Sequence, residues 1–218
     1  MTPDRKRKTK DPCPVCFLNK SRCVCALIPK LNLKTRLCLV VHAKELKRTT
    51  NTGRLAIQAL LNSEMRIRGA DQNAVDLSDL LTPQYRTVMF YPSDDAKELT
   101  PEFVAQDPRP IQLIVPDGNW RQASKVHYRH RELKDVPRVM IKTPNQSPVH
   151  MRAENTAEGM ATLQAIAEAI GVIEGDAPKE SLMKLYRAKL EGTLQGRGIK
   201  LENLMPSDHN KAQQRLDR

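Results

Sequence analysis

The chain has 218 residues, of which 39% are hydrophobic and 28% charged, and its formal net charge is +11. This length suits one α/β domain with a substantial core and a small appendage. The longest uninterrupted apolar run spans only residues 37–41, far below the roughly 18–20 apolar residues that a membrane helix needs. The basic N-terminus has no apolar segment of the signal-peptide type, so we expect a cytoplasmic protein that does not span a membrane.

The positive charge is concentrated in two segments. Residues 1–36 contain ten Lys/Arg and two Asp (net +8), and residues 120–142 contain seven Lys/Arg and two Asp/Glu (net +5). Such an excess attracts phosphate polymers or anionic membranes. Because no strongly amphipathic membrane helix accompanies these segments, the sequence favours a nucleic-acid partner over lipid. The alternative is a solvated basic surface that only aids solubility.

In chain order, four regions are predicted. Residues 1–11 form a basic leader that we expect to become ordered only on an RNA partner. A cysteine-rich knuckle follows at 12–30, and the main α/β domain covers 31–192. Residues 193–218 are predicted to be a polar, basic tail.

Short apolar runs in the main domain predict buried strands, because each is too short for a helix. They lie at residues 36–42, 87–91, 111–115 and 138–141. Helices are predicted at residues 54–62, 121–133, 157–170 and 181–190. This alternation predicts an α/β fold with a mainly parallel sheet flanked by helices.

In such a sheet, ligands bind in the loops that follow the carboxyl ends of the strands. The unusual residues of this chain fall in these loops. We number the loops in chain order as first (44–54), second (92–95), third (116–125) and fourth (143–152).

The four clustered cysteines form a candidate metal site. Cys13 and Cys16 make a C-x-x-C pair, and Cys23 and Cys25 follow as C-x-C. Four thiolates can hold Zn²⁺ in a tetrahedron, although C-x-C is tighter than the usual zinc-ribbon spacing. Two disulfides would conflict with the cytoplasm, and a redox dithiol normally opens a helix in a βαβ unit. We therefore predict a structural Zn²⁺ with no open position for chemistry, and a core position for Cys38.

The first loop reads RTTNTGR, with small polar residues before a glycine and a predicted helix. The N–H groups of a helix N-terminus can bind an anion or a carboxylate. Thr52 is predicted to cap this helix, and capping alone is the simpler explanation for it. Arg48 and Arg54 exceed what capping requires.

The third loop begins with Asp117, directly after a predicted strand, and contains Trp120, the only tryptophan. Trp120 is predicted either to lie in the core or to stack on a nucleobase. The fourth loop, with Ser147 and Arg152, is most simply a polar connection. Taken alone, none of these loops identifies a reaction.

Five motifs occur in an order that resembles the DTW-domain family. They are CPVC…CVC, RTTNTGRL, YPSDDA, PDGNWRQASKV and SPVHMR. The family is named for an Asp-x-Trp type of motif, which corresponds here to residues 117–120. The resemblance covers residues 13–175, about three quarters of the chain.

The resemblance implies a tRNA-uridine aminocarboxypropyltransferase with a SPOUT-like fold and a C-terminal trefoil knot. Such an enzyme transfers the 3-amino-3-carboxypropyl group of S-adenosylmethionine to N3 of a uridine and releases 5′-methylthioadenosine. It needs no catalytic metal. Similar bacterial members modify uridine 47 of the tRNA variable loop, so the implied partners are tRNA and S-adenosylmethionine.

Carried onto this chain, the resemblance implies catalytic roles for Asp117 and Trp120. Asp117 either accepts the ammonium of the cofactor or takes the N3 proton, and the sequence leaves both open. Residues expected to bind the cofactor are Arg48, Thr49, Asn51, Thr52, Pro92, Pro116, Asp117, Gly118, Ser147 and Arg152. Residues expected to bind RNA are Arg54, Arg121 and Lys125.

Two positions depart from the family pattern, and alternative functions therefore stay open. Asn119 replaces the usual threonine, and Gln164 replaces a common glutamate. The alternatives are a SPOUT-type RNA methyltransferase, which would release S-adenosylhomocysteine, and a non-catalytic zinc-dependent RNA-binding protein. The sequence does not indicate an oligomeric state.

Overall fold

The computed structural model describes residues 9–70, 75–142 and 159–199, with Trp120 and His127 described by their backbone alone. Its six strands form one sheet in which every pairing is parallel. The strand order is β2-β1-β5-β3-β6-β4. The strands are β1 (Arg36–His42), β2 (Ser63–Arg68), β3 (Arg86–Phe90), β4 (Lys97–Glu98), β5 (Ile111–Asp117) and β6 (Arg138–Met140).

Five helices accompany the sheet in the described residues. They are α1 (Gly53–Ala59), α2 (Pro101–Ala105), α3 (Trp120–Arg129), α4 (Thr162–Glu174) and α5 (Asp176–Gly196). The predicted α/β class with a parallel sheet flanked by helices is therefore confirmed. No helix in the described ranges combines the length and the apolar content that a membrane span requires.

The two faces of the sheet belong to different cores because successive side chains of a strand point to opposite faces. Leu39 and Val115 lie in a core that includes residues of α1, α4 and α5. Val40 and Ile114 lie in a second core that includes residues of α3. By the same alternation, Asp117 belongs to the α1/α4 face and His42 to the α3 face.

All four predicted strands are present with ends within about a residue or two, and β2, β4 and α2 were missed. β2 was missed because its sequence, SEMRIR, contains charged residues and no apolar run. Such a sequence suits an edge strand whose residues are largely half-buried. α2 has only five residues, with Thr100 as its side-chain cap.

The helix bounds also differ from the predictions. The helix predicted at 121–133 ends at Arg129, and residues 131–133 form a separate 3-10 turn. α4 begins at Thr162 rather than 157, and predicted residues 157–158 lie outside the described ranges. α5 is longer than predicted and continues to Gly196, past the expected start of the tail.

The cysteine knuckle packs into the main core. Cys13, Cys16 and Leu18 belong to the same apolar cluster as Leu185 of α5. Gly192 of α5 permits the close approach, because a Cβ there would lie 2.8 Å from Leu18 Cδ1. The knuckle is therefore held against the C-terminal helix.

Candidate functional site

The four clustered cysteines bring their sulfur atoms together. The Sγ–Sγ distances are 3.6 Å for Cys13–Cys25, 3.5 Å for Cys13–Cys23 and 3.8 Å for Cys16–Cys23. All four Sγ atoms lie within 4.8 Å of one another, and all four cysteines are free. Zn–S bonds of ~2.3 Å in a tetrahedron place sulfurs about 3.8 Å apart, whereas a disulfide needs ~2.05 Å. The cluster therefore could hold a metal ion, and its geometry fits structural zinc.

The surroundings shift the pKa values of the clustered thiols in different directions. Burial raises the pKa of Cys13, but hydrogen bonds from the Cys16 and Val15 backbone and from the Cys23 and Cys25 thiols together outweigh burial and lower this pKa to about 6. Burial and the neighbouring thiols raise the pKa of Cys25 instead, so a bound metal ion would have to stabilise its thiolate. Four thiolates around Zn²⁺ carry a formal charge of about −2, so a buried centre needs nearby cations.

Two cations lie beside the cysteine cluster. Lys189 of α5 is fully buried, and its Nζ donates to the carbonyl of Cys16 (2.6 Å) and to the carbonyl of Thr49 in the first loop (3.0 Å). Burial lowers the pKa of Lys189 to about 8, although the Cys16 sulfur opposes the shift. The guanidinium of Arg54 stacks 3.7 Å from the centroid of the Phe17 ring. Both cations thus join the knuckle to the segment around the first loop.

Asp117 is the point at which three segments meet. It is the last residue of β5 and only 7% exposed. Its Oδ2 accepts a hydrogen bond from Asn51 Nδ2 of the first loop (2.5 Å), and its Oδ1 accepts one from the Thr162 hydroxyl (2.7 Å). Thr162 is the first residue of α4, directly after the segment that contains the fourth loop. The structure therefore brings the first loop, the third loop and the start of α4 together.

The prediction that the Thr52 side chain caps the helix after the first loop is wrong. Asn51 Oδ1 instead accepts from the Arg54 N–H at the start of α1 (3.2 Å). The Thr52 hydroxyl accepts from the Leu163 N–H of α4 (3.1 Å). The hydroxyl therefore caps α4, through a residue 111 positions away in the chain, and not the helix that was predicted.

We expect Thr52→Val to lower the free energy of unfolding by about 1–2 kcal/mol, because valine keeps the shape and leaves the buried Leu163 N–H without an acceptor. Chemical denaturation measures the change. Thr49→Val is a suitable control, since Thr49 is exposed and its replacement should cost less than about 0.5 kcal/mol. Equal stability of the two variants would contradict the assigned cap.

Two glycines permit the close contacts at Asp117. A Cβ on Gly53 would lie 2.9 Å from Leu39 Cδ2 and 3.0 Å from Asp117 Oδ2. A Cβ on Gly118 would lie 2.8 Å from Gln122 Cβ. A larger residue at either position would force the first or the third loop to move.

The departure at Asn119 has a structural explanation. Its Oδ1 accepts from the Gln122 N–H (2.9 Å), while Gln122 Oε1 accepts from the Asn119 N–H (2.9 Å). This reciprocal pair is a capping box, and Asn caps helices at least as well as Thr. The second departure, Gln164, is a buried residue of α4, 5% exposed.

The remaining predicted cofactor residues occupy varied environments. Arg48 is half-exposed, and its Nε forms an ion pair with buried Glu45 (3.0 Å). Pro92 is exposed after β3. Pro116 is buried in β5, beyond the point where β3 stops pairing, so its missing N–H costs no hydrogen bond to β3. Ser147 and Arg152 lie outside the described residues.

The predicted RNA contacts fall into two groups. Arg121 and Lys125 are exposed on α3, with Tyr128 of the same helix 76% exposed. Arg54 is half-buried against Phe17, and its buried Nη1 has no hydrogen-bond partner among the described residues. Trp120 begins α3, and its side chain lies outside the described part of the chain.

Sequence reasoning missed Thr162 and Lys189. Thr162 was missed because the helix was predicted to begin at residue 157, which placed this threonine within the helix, whereas α4 begins at Thr162. Lys189 gave no signal in the sequence, because lysine in an amphipathic helix is normally exposed.

Comparison with known proteins agrees with the motif order. The DTW-domain profile matches residues 10–194. Proteins named tRNA-uridine aminocarboxypropyltransferase 2 are similar to this chain. The Macaca fascicularis protein is 26% identical over 88% of this chain and 67% of its own length. The Mus musculus protein is 26% identical over 84% of this chain and 63% of its own length. The Drosophila melanogaster protein is 25% identical over 79% of this chain and 68% of its own length.

This chain therefore spans about two thirds of the length of these relatives. No solved structure matches the chain.

Proposed function

Because this chain belongs to the DTW-domain family, we propose that it is a tRNA-uridine aminocarboxypropyltransferase that uses S-adenosylmethionine. The main structural support is the convergence on Asp117 of the first loop, the third loop and the start of α4. A ligand site at the carboxyl ends of parallel strands is where an α/β sheet normally binds small molecules.

The proposed reaction joins uridine N3 to the γ-carbon of the methionine arm. As the N3–C bond forms, the C–S bond breaks, and its electron pair leaves with 5′-methylthioadenosine. The N3 proton leaves to a base. Only the carbon held in line with N3 reacts, so the choice between the methyl and the aminocarboxypropyl group is a matter of positioning.

Of the two roles considered for Asp117, we propose that it anchors the ammonium of the methionine arm. Both of its oxygens already accept hydrogen bonds from fixed neutral donors, Asn51 and Thr162. A carboxylate has about four lone-pair sites, so it can accept an ammonium as well. The carboxylate of the arm is assigned to Arg48 and Thr49.

The adenosine and the reacting base are assigned to the remaining predicted residues. Asn51, Thr52, Pro92, Pro116, Gly118, Ser147 and Arg152 form the proposed remainder of the cofactor site. Trp120 is proposed to stack on the flipped uracil or on adenine. Arg121 and Lys125 are proposed to contact RNA phosphate, with uridine 47 as the proposed target.

We also propose the SPOUT-like trefoil knot. In the sheet, β6 lies between β3 and β4, although β3 and β4 are consecutive in the chain. The last strand thus enters the sheet between two earlier strands that are already connected to each other. The segment that follows β6 includes residues 143–158, which lie outside the described ranges.

The proposed cysteine-bound metal is Zn²⁺ with a structural role. Four thiolates leave no open coordination position, so the centre holds the knuckle rather than taking part in transfer. Reduced thiols of this kind fit a cytoplasmic location.

The test incubates the protein with tRNA and S-adenosylmethionine that carries isotope either in the methyl group or in the carboxyl group. We expect mass spectrometry of the nucleosides to show a uridine with the carboxyl label, and 5′-methylthioadenosine with the methyl label. Methyl label in the tRNA together with S-adenosylhomocysteine would instead establish a methyltransferase. Binding of tRNA with neither product would establish a non-catalytic RNA-binding protein.

A further inference from the structure

A group of cations lies at the carboxyl ends of β1 and β2, on the face of the sheet that carries α3. His42 and Arg68 are paired neighbours at the last positions of these strands. Arg68 Nη2 donates to the carbonyl of Gln122 in the first turn of α3 (2.9 Å). Lys125 and Arg129 follow on the exposed surface of the same helix.

Arg68 is unusual because it is buried and forms no ion pair with a carboxylate among the described residues. It is 8% exposed, and among the described residues its buried Nε has no hydrogen-bond partner. Burial and the charge of Arg129 lower the pKa of the Arg68 guanidinium. An unsatisfied donor on a buried cation is costly unless a ligand meets it.

Most of the charges around His42 are positive. Burial lowers the pKa of His42, and Arg68, Lys44 and Lys125 lower it further. Glu45 opposes them, but its carboxylate forms an ion pair with Arg48. His42 Nδ1 accepts from the Lys44 N–H (3.2 Å), so Nε2 is the ring nitrogen left to carry a proton and to donate.

The neighbouring arginine of the same strand shows that this pattern is not general to β2. Arg66 Nη2 contacts both Asp79 (2.5 Å) and Glu64 (3.3 Å). Two residues later, Arg68 faces cations instead. Like charges therefore lie together at the end of β2, an arrangement that a bound anion would stabilise.

We propose that His42, Arg68, Lys125 and Arg129 form a binding site for a phosphodiester of the RNA substrate. The proposal rests on the proposed function, since it assumes that the anion belongs to tRNA. The site lies on the α3 face of the sheet edge, whereas Asp117 belongs to the α1/α4 face. The RNA backbone would thus be held on the α3 side of the edge while its uridine reaches over to the cofactor.

The test compares Arg129→Gln, Lys125→Gln and Arg68→Gln with the charge-matched control Arg66→Gln. Binding of tRNA is measured by fluorescence anisotropy between about 50 and 300 mM salt. Each site variant should weaken binding about threefold to tenfold at ~0.1 M salt and reduce the slope of log K against log salt by about 1. The Arg66 variant should keep the wild-type slope.

Folding and cofactor binding are followed in the same proteins. Arg129 is exposed, so its variant reports on binding even if Arg68→Gln lowers stability. Wild-type slopes for Arg129→Gln and Lys125→Gln would overturn the proposal. Weaker S-adenosylmethionine binding in the site variants, with unchanged RNA slopes, would also overturn it and assign the cations to the cofactor carboxylate.

The test of the phosphodiester site can fail or succeed independently of the test of the proposed transferase activity. Nucleoside analysis of wild-type reactions tests transfer by itself. If transfer occurs and the slopes do not change, the phosphate site fails and the transferase remains. If no transfer occurs and the slopes change as expected, the RNA site remains and the transferase fails.

Discussion

Exchanging the two side chains of the Asn51–Asp117 pair should give a folded protein that transfers no aminocarboxypropyl group. In the double variant Asn51→Asp with Asp117→Asn, an amide at position 117 can donate to a carboxylate at position 51, so the 2.5 Å hydrogen bond is restored in reverse. An acidic residue at 51 can still accept from the Arg54 N–H. The negative charge, however, leaves the end of β5.

The loss of transfer activity in the exchanged pair should be large while the change in thermal stability is small. Loss of a contact that positions the reacting carbon typically lowers turnover about 10²-fold or more. We expect at least this loss in single-turnover transfer for the exchanged pair, with a thermal midpoint close to wild type. The single variant Asp117→Asn should lose activity and also about 1–3 kcal/mol, because one of the two donors faces an amide N–H₂.

Thr162→Val is the matched control for the other hydrogen bond. It removes the donor to Asp117 Oδ1 and keeps the carboxylate in place. We expect a modest loss of stability and retained transfer. Wild-type activity in the exchanged pair would contradict a chemical role for Asp117 and reduce it to a hydrogen-bond acceptor that holds the first loop. Asp117→Ala is a poor probe, because it leaves two donors unsatisfied.

Much of the sheet could be predicted because its central strands are buried on both faces. For this reason β1 is a continuous apolar run between its end residues, and β5 is interrupted only by the buried Gln112. The polar residues His42 and Asp117 end these strands at the edge where the loops lie. The edge strand β2 gave no such run, since its outer side is exposed and its charged residues pair with neighbours. A strand that is buried on both faces can be predicted from a single sequence because nearly all of its residues are apolar.

The contacts of the candidate site could be predicted only in part. Local signals identified Asp117, Asn51 and Thr52 as important. Asp117 and Thr52 contact the start of α4, which is more than 40 residues away from either of them in the chain. Lys189 reaches the same region through the Thr49 carbonyl. The residue type indicates that a hydroxyl can cap a helix, but it does not indicate which helix the fold places beside that hydroxyl. Arg68 was missed because an arginine near the end of a polar strand is usually solvated.

Removing one cysteine ligand should destabilise the protein and weaken the cofactor site together. Cys13→Ser leaves three thiolates, and we expect loss of bound zinc and of at least about 3 kcal/mol of unfolding free energy, since metal binding in such knuckles contributes directly to folding. Metal analysis of the purified protein and chemical denaturation measure the two losses. Cys38→Ala is the control, because Cys38 is buried in β1 away from the cluster and its replacement should leave the zinc content unchanged.

The expected effect of Cys13→Ser on cofactor binding depends on the contacts of Lys189. Its ammonium joins the carbonyl of Cys16 to the carbonyl of Thr49, so loss of the thiolate charge leaves a buried cation uncompensated beside the first loop. We expect hydrogen exchange at residues 49–54 to increase in Cys13→Ser, and S-adenosylmethionine affinity to fall. Lys189→Met should loosen the same residues while zinc stays bound. If Lys189→Met leaves exchange in the first loop unchanged, the metal centre and the cofactor loop are independent, and the knuckle stabilises only its own fold.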